Sequence, residues 1–173
     1  LDHPIIMKLK IPAEADDNIT PHQQLIDFVF NRAAELGLRR LGDDVYRPVM
    51  TANGCNTHFY ERYMEIIDFV YHCCTPRLMY PEMYSALTLK ASTPKHVAKV
   101  ITNIADNRLP ILKKQRFLFS YDNGIYDGKE NRFHTYQEST SLPDECSTSN
   151  YFRVNFLPCY MTDSIDDIYT PSI

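Results

Sequence analysis

The sequence has no apolar run that approaches the roughly 18 residues of a membrane-spanning helix. It also lacks an excess of basic residues, because 22 aspartates and glutamates outnumber 18 lysines and arginines and the formal net charge is −4. The first absence argues against a helical membrane protein. The second argues against a domain that binds nucleic acid over a broad basic surface. With 44% hydrophobic and 23% charged residues, the composition is typical of a soluble globular domain.

A regular cysteine framework is missing as well. The five cysteines are an odd number at irregular spacings, and two of them are adjacent at Cys73 and Cys74. We therefore expect free thiols in a reducing compartment and no disulfides. The first ten residues contain a proline and charges where a signal peptide needs an apolar segment, so we expect no secretion. Because the chain begins at Leu1 and not at Met, we expect a fragment or a processed product.

Helical periodicity dominates the first two-thirds of the chain. Thr20-Pro21 combines a cap residue with proline at the first helical position, and Gly37 stands where a helix ends. Apolar residues at helical spacing predict a second helix over 57–74 and another that starts at Ser92-Thr93-Pro94. Between the first two helices, residues 38–50 predict two short extended pieces around a turn at Gly42-Asp43-Asp44.

A small antiparallel sheet is predicted to follow the helices. Phe117, Phe119 and Tyr121 alternate with smaller residues, which is typical of a strand with one bulky face. Asn123-Gly124 predicts a type I′ turn, since both of its central positions need positive φ. A further turn at Asp127-Gly128 favours a three-stranded meander. We interpret Asn123 and Gly124 as a structural turn.

These elements together predict an α+β fold that is mainly helical in its first two-thirds and packed on a small antiparallel β-meander. We expect a single domain over residues 1–160, with helices over 20–108 and the meander over 109–160. Within it, a polar loop over 138–150 precedes a strand over 152–156. The acidic tail over 161–173 suits a linker toward a following domain.

Four residues form a candidate metal site. Cys55 and His58 are separated by two residues, a spacing at which both side chains can reach one zinc ion, and His72 and Cys73 would complete the site. Successive helical residues diverge by about 100°, so at most two of the residues 72–74 could face one point. We therefore prefer buried or half-buried thiols and expect no cofactor in this chain, with zinc as the alternative.

No catalytic residue is predicted. The segment from Gly124 to Lys129 resembles a phosphate-binding loop only superficially, because three residues separate its glycines where four are needed. Cys55 paired with a distant histidine would be a nucleophile of a small hydrolase, but nothing in the sequence marks a base or an oxyanion hole. The sequence thus leaves a binding or scaffold role as the better interpretation.

The only plausible nucleic-acid contact is a short basic segment. Lys113, Lys114 and Arg116, with Arg108 nearby in sequence, precede the aromatic residues of the predicted meander. Lysine and arginine neutralise phosphates, and neighbouring aromatic rings stack on exposed bases. A solvated loop ahead of a strand is the alternative interpretation.

The same segment carries a resemblance to a known family. Residues 109–112 read Leu-Pro-Ile-Leu, residues 113–116 read Lys-Lys-Gln-Arg, residues 119–127 read FSYDNGIYD, and Phe133 and Tyr136 follow. This arrangement resembles the segment that links primase to helicase in the poxvirus-type primase-helicases of large DNA viruses. The implied position is between the primase domain and the superfamily 3 helicase core.

That resemblance implies a non-catalytic scaffold or collar that supports oligomerisation and DNA passage. The implied partners are further copies of the chain in a ring, a hexamer in the parent, together with single-stranded DNA and other replication proteins. The parent would use ATP and magnesium as a DNA primase and helicase. The implied location is a cytoplasmic or nuclear replication site of an infected cell. A free-standing protein-interaction or zinc-binding module is the alternative function.

Overall fold

A computed structural model describes residues 20–75, 77, 81, 84–85, 92–138, 142 and 146–157. The predicted linker over 161–173 lies outside these residues. The chain forms two compact units within the range predicted to be one domain. The first, here the helical unit, comprises residues 1–49 and 60–114, and the second, the β unit, comprises residues 50–59 and 115–173.

The elements follow one another with these bounds: α1 Pro21–Glu35, β1 Arg39–Leu41, β2 Asp44–Met50, β3 Asn56–Glu65, α2 Ile66–Cys73, α3 Ser92–Asn103, β4 Lys114–Tyr121, β5 Gly124–Asp127, β6 Arg132–Thr135 and β7 Ser147–Phe152. The strands form a three-stranded sheet in the order β1-β2-β3 and a four-stranded sheet in the order β6-β5-β4-β7. An α+β class with antiparallel strands is therefore confirmed. The expected helical majority is not, because helices account for 31% and strands for 36% of the described residues.

Helix α1 begins and ends where the sequence predicts. The Thr20 hydroxyl accepts a hydrogen bond from the backbone N–H of Gln23 at 3.3 Å, which satisfies one of the free donors at the helix start. Beyond its end, Gly37 has φ of +63°, the left-handed conformation that stops a helix. Helix α3 likewise begins at Ser92, as the cap-plus-proline pattern predicts.

The core of the helical unit lies among helices α1, α2 and α3. Helices α1, α2 and α3 pack against one another, and β2 contributes Val45 from the three-stranded sheet. The fully buried side chains of this core include Leu25, Val29, Phe30, Val45, Ile66, Phe69, Val70, Val97, Ile101 and Leu109. Burial of this apolar surface is the main force that holds the unit together.

The predicted helix over 57–74 is wrong in its first half. Residues Asn56–Glu65 form strand β3, and helix α2 begins only at Ile66. The stretch contains Thr57 and the aromatic residues Phe59, Tyr60 and Tyr63, which favour strands, and it places a second strand beside β2. Opposite charges join the two strands, with 2.6 Å between Arg47 Nη2 and Glu61 Oε1. The apolar residues of this stretch fit both the helical period of about 3.6 residues and the strand period of two residues. Pairing with β2 decides in favour of the strand.

The two extended pieces over 38–50 are confirmed as the hairpin β1–β2. Leu41 pairs with Asp44, so Gly42 and Asp43 form the loop, and Gly42 has φ of +60°. Asp44 instead belongs to β2 and pairs with Arg62 of β3, with 2.8 Å between Oδ1 and Nη2. The turn interpretation of Gly42-Asp43-Asp44 therefore holds for its first two residues.

In the β unit, the meander β4-β5-β6 is confirmed but its first turn is shifted by one residue. Tyr121 pairs with Gly124, so Asp122 and Asn123 are the two loop residues. Neither Asn123 nor Gly124 has positive φ, which rules out the predicted type I′ turn at that pair. A Cβ atom at position 124 would lie 2.2 Å from the carbonyl oxygen of His134. Glycine is required here by the close approach of β6.

The last strand also differs from its prediction. β7 comprises Ser147–Phe152, whereas the sequence pattern predicts a strand over 152–156 and a polar loop up to residue 150. The strand is not evident from the sequence, because residues 147–150 are polar and show no alternation of apolar and polar side chains. Ser147 and Thr148 are nevertheless buried, and the hydroxyl of Thr148 is hydrogen-bonded to that of Ser120 in β4.

Candidate nucleic-acid interface

One side of the four-stranded sheet is lined by aromatic rings. Phe119 of β4 pairs with Tyr126 of β5, which in turn pairs with Phe133 of β6, so the three residues form a row across adjacent strands. Paired residues in antiparallel strands point to the same side of a sheet. With the rings that pack beside this row, we call the set the aromatic face, which consists of Phe119, Tyr121, Tyr126, Phe133, Phe152 and Phe156.

The rings of the aromatic face contact one another at stacking distances. Phe156 lies parallel to Phe133, with 4.7 Å between ring centroids and 13° between planes, and parallel to Tyr126 at 5.2 Å and 17°. Phe152 lies 5.3 Å from Tyr121 and is 39% exposed. The rings therefore form one packed cluster, and the exposed ring of Phe152 lies beside Tyr121.

Residues of the Asn-Gly-Ile-Tyr-Asp motif each have a structural contact. Ile125 is fully buried, and Tyr126 stacks on Phe156. Asp127 Oδ1 accepts hydrogen bonds from the backbone N–H groups of residues 129 and 130, which closes the loop that follows β5. Downstream, the Tyr136 hydroxyl donates to the carbonyl oxygen of Tyr121. The motif thus builds the sheet that carries the aromatic face.

Arg108, one of the four predicted DNA contacts, is engaged within the helical unit. Its Nη2 lies 2.7 Å from Asp106 Oδ2 and 3.1 Å from Asp27 Oδ1, and its guanidinium lies over the ring of Phe30. These carboxylates raise the pKa of Arg108, and the largest cause is the hydrogen bond that Arg108 donates to Asp106. Two neighbouring negative charges compensate the arginine, so it is poorly placed to neutralise a phosphate.

The other three predicted contacts are exposed. Lys113 precedes β4, while Lys114 and Arg116 lie on the first part of that strand. The Lys114 ammonium lies 5.7 Å from the ring centroid of Tyr46 in the helical unit. Arg116 is followed along β4 by the aromatic residues of the sheet. The strand therefore carries exposed cations at its start and rings in its second half.

The predicted zinc ligands are distributed over both units. Cys55 and His58 belong to the β unit, whereas His72 and Cys73 end helix α2 of the helical unit. Cys73 is fully buried, and desolvation raises the pKa of its thiol to about 12, which disfavours the thiolate that binds metal. The four cysteines within the described residues form no disulfide, as the sequence predicts, and the preference for thiols over zinc stays a prediction.

A different group of metal-ligating side chains does come together. Asp127, Glu130 and His134 offer ligand atoms that all lie within 4.8 Å of one another. Sequence reasoning missed this group, because Asp127 was assigned to a turn and the spacing Asp-x-x-Glu-x-x-x-His matches no metal motif we considered. The available signal was a histidine in a predicted strand just beyond an acidic turn, which becomes informative only once the strand pairing is known.

Comparison with protein-family profiles, curated proteins and solved structures returned no match for this chain. Among the described residues, no helix has the length and apolar character needed to cross a membrane.

Proposed function

We propose that this chain is a non-catalytic scaffold domain of a viral-type DNA replication primase-helicase, and that strand β4, with Lys113 just before it, contacts single-stranded DNA. The observation that carries the proposal is strand β4, where exposed Lys114 and Arg116 precede the rings of Phe119 and Tyr121. Cations that neutralise phosphates next to rings that stack on bases are the two components of sequence-tolerant single-strand binding.

The resemblance in residues 109–136 supports the replication context of this proposal. The residues that carry it are those that build the meander and its aromatic face. A sheet with a row of rings is also the surface that RNA-recognition domains use to stack bases of a single strand. Within the aromatic face, Phe152 is the ring most accessible to a base, since 39% of its surface is exposed.

The scaffold part of the proposal is self-association of the parent as a ring, a hexamer in the resembling family, with DNA passing along the collar. Exposed apolar side chains in the β unit, Val154 and Leu157, are suited to contacts with a neighbouring subunit or another replication protein. ATP and magnesium would be used by other parts of the parent.

The DNA contact is tested by fluorescence anisotropy of a labelled oligothymidylate of about 20 nucleotides with the 173-residue chain. We expect weak binding with a slope of log K against log salt of about −1.5 to −3, since two to four phosphates are neutralised. Charge reversal of Lys113, Lys114 and Arg116 to glutamate should abolish binding.

A matched control changes the same net charge elsewhere. Lys95 and Lys99 of α3, with Arg77, are exposed, and their replacement by glutamate changes the net charge by the same amount as the triple change at the interface. Binding that falls equally in both triple variants would show only an effect of overall charge and would overturn the interface. Sedimentation velocity of the same variants tests the scaffold role. If reversal at 113, 114 and 116 dissolves an oligomer without changing DNA affinity, these residues belong to a subunit contact.

A further inference from the structure

His134 of β6 is the most unusual side chain of the β unit. It is 5% exposed, and neither of its ring nitrogens has a hydrogen-bond partner among the described residues. A buried imidazole without partners is costly, because both nitrogens lose their hydrogen bonds to water. Such a residue is suited to bind a ligand, since no described residue satisfies its nitrogens.

The neighbours of His134 are the carboxylates of Asp127 and Glu130. Asp127 is the last residue of β5 and is buried, whereas Glu130 lies in the following loop and is exposed. The three ligand atoms lie within 4.8 Å of one another. All three side chains line a cavity of about 370 Å³, together with Cys146. The cavity thus collects one imidazole, two carboxylates and a thiol.

The loop that brings Glu130 toward the strands is held in place by its own hydrogen bonds. Asp127 Oδ1 accepts from the N–H of Lys129 at 2.8 Å and from that of Glu130 at 3.2 Å. Asn131 has φ of +51°, and its side chain accepts a hydrogen bond from the Tyr126 hydroxyl. The loop geometry is therefore fixed before any ligand binds.

We propose that Asp127, Glu130 and His134 bind a zinc ion, with Cys146 as the candidate fourth ligand. Zinc takes imidazole, carboxylate and thiolate ligands in tetrahedral sites with bonds of about 2.0–2.3 Å. Its ligand atoms then lie about 3.4–3.8 Å apart, so the three groups need only a small closure. Glu130 is exposed and can rotate toward the ion, while Asp127 and His134 are fixed by their strands.

Two positively charged side chains near the site lower its affinity for a metal ion. Lys129 and Arg132 also line the cavity, although the Lys129 ammonium lies over the ring of Phe117 at 5.7 Å. Among the described residues, neither cation comes within 4.0 Å of the carboxylates of Asp127 or Glu130 as an ion pair. The carboxylates are thus not neutralised by direct pairing, and the buried imidazole carries the preference for a transition metal.

The experiment uses the whole chain, freed of metal by dialysis against a chelator and titrated with zinc in competition with a chromophoric chelator. We expect one equivalent to bind. Loss of even an outer-shell partner weakens metal sites about 10–100-fold, so Glu130→Gln, which removes a ligand, should weaken binding at least as much. His134→Asn should abolish it. His58→Asn, in the same unit and at a positive φ that asparagine tolerates, should leave it unchanged.

Glu130→Gln protects the test against misfolding, because its side chain is exposed and the change preserves shape. Absorption spectra of the cobalt-substituted protein identify the fourth ligand. A thiolate-to-cobalt charge-transfer band that is present in the wild type and disappears in Cys146→Ser assigns Cys146. If the wild type shows no such band, the fourth ligand is water. Absence of stoichiometric binding, or equal zinc affinity in the wild type, Glu130→Gln and His134→Asn, would overturn the proposal. The DNA titrations are run with chelator present, so their outcome does not depend on whether the chain binds zinc.

Discussion

The side chain of Asn123 holds the backbone of Phe156 through two hydrogen bonds. Asn123 Nδ2 donates to the carbonyl oxygen of Phe156 at 3.0 Å, and the N–H of Phe156 donates to Asn123 Oδ1 at 2.7 Å. The amide group thereby imitates a neighbouring strand. It fixes the segment beyond β7 so that the ring of Phe156 stacks on Phe133 and Tyr126. Asparagine is required here for its side chain and not for its tolerance of positive φ.

Replacing Asn123 by alanine should remove both hydrogen bonds and lower the free energy of unfolding by about 1–3 kcal/mol. Asn123→Asp keeps the acceptor for the N–H of Phe156 but loses the donor, so it should lower the free energy of unfolding by less than Asn123→Ala does. Chemical denaturation measures these differences. Asn155→Ala, at an exposed neighbouring position, is the control and should change little. Equal stability of the alanine variants at 123 and 155 would contradict the role of the clamp.

Gly124→Ala should destabilise the β unit by about 1–3 kcal/mol through overpacking. The new Cβ would meet the His134 carbonyl oxygen at 2.2 Å and the Phe133 ring at 2.6 Å, so strand β6 must shift. Gly128→Ala is the matched control, because a Cβ atom at position 128 would lie 3.3 Å from its nearest neighbour, the Phe117 carbonyl oxygen. Thermal denaturation of both variants checks the difference. A smaller loss at position 124 than at 128 would refute the steric explanation.

Asp106 should stabilise the helical unit near neutral pH, and this contribution should disappear in acid. Hydrogen bonds from Arg108 hold the pKa of Asp106 below its ordinary value. A lowered pKa in the folded state stabilises the protein above the unfolded pKa of about 3.9, and this contribution disappears as the pH falls through the folded pKa. The stability difference between wild type and Asp106→Asn should therefore be full near neutral pH and shrink below about pH 4.

Urea denaturation at several pH values measures that difference. Arg108→Lys serves as a second test, because lysine cannot reproduce the forked contacts with Asp106 and Asp27. Arg108→Lys should lower the free energy of unfolding while leaving the DNA affinity of the chain unchanged. A loss of DNA binding with unchanged stability would instead restore Arg108 to the interface.

Cys73 should resist alkylation in the folded protein. It is fully buried, and its raised pKa of about 12 leaves almost no thiolate at about pH 8, so it should react at least about 100-fold more slowly than the half-buried Cys146. Mass spectrometry after iodoacetamide treatment gives both rates. Denaturant should make them equal. Fast native modification of Cys73 would place it outside the core.

Helix α1, the hairpin β1–β2 and the meander could be predicted because their signals are local. The cap at Thr20, the stop at Gly37 and the period-two pattern of Phe117, Phe119 and Tyr121 each act over a few residues. The sequence by itself therefore determined where these elements lie and which residues form their apolar sides. It also determined that cations precede the aromatic strand.

Only the tertiary structure decided the features that depend on partners distant in sequence. Residues 56–65 became a strand because β2 lies beside them, although their pattern also fits a helix. Gly124 and Asn123 are needed because β6 and Phe156 approach the hairpin, and no local propensity contains that information. His134 reaches Asp127 for the same reason, since pairing of β5 with β6 brings together residues that the turn separates along the chain.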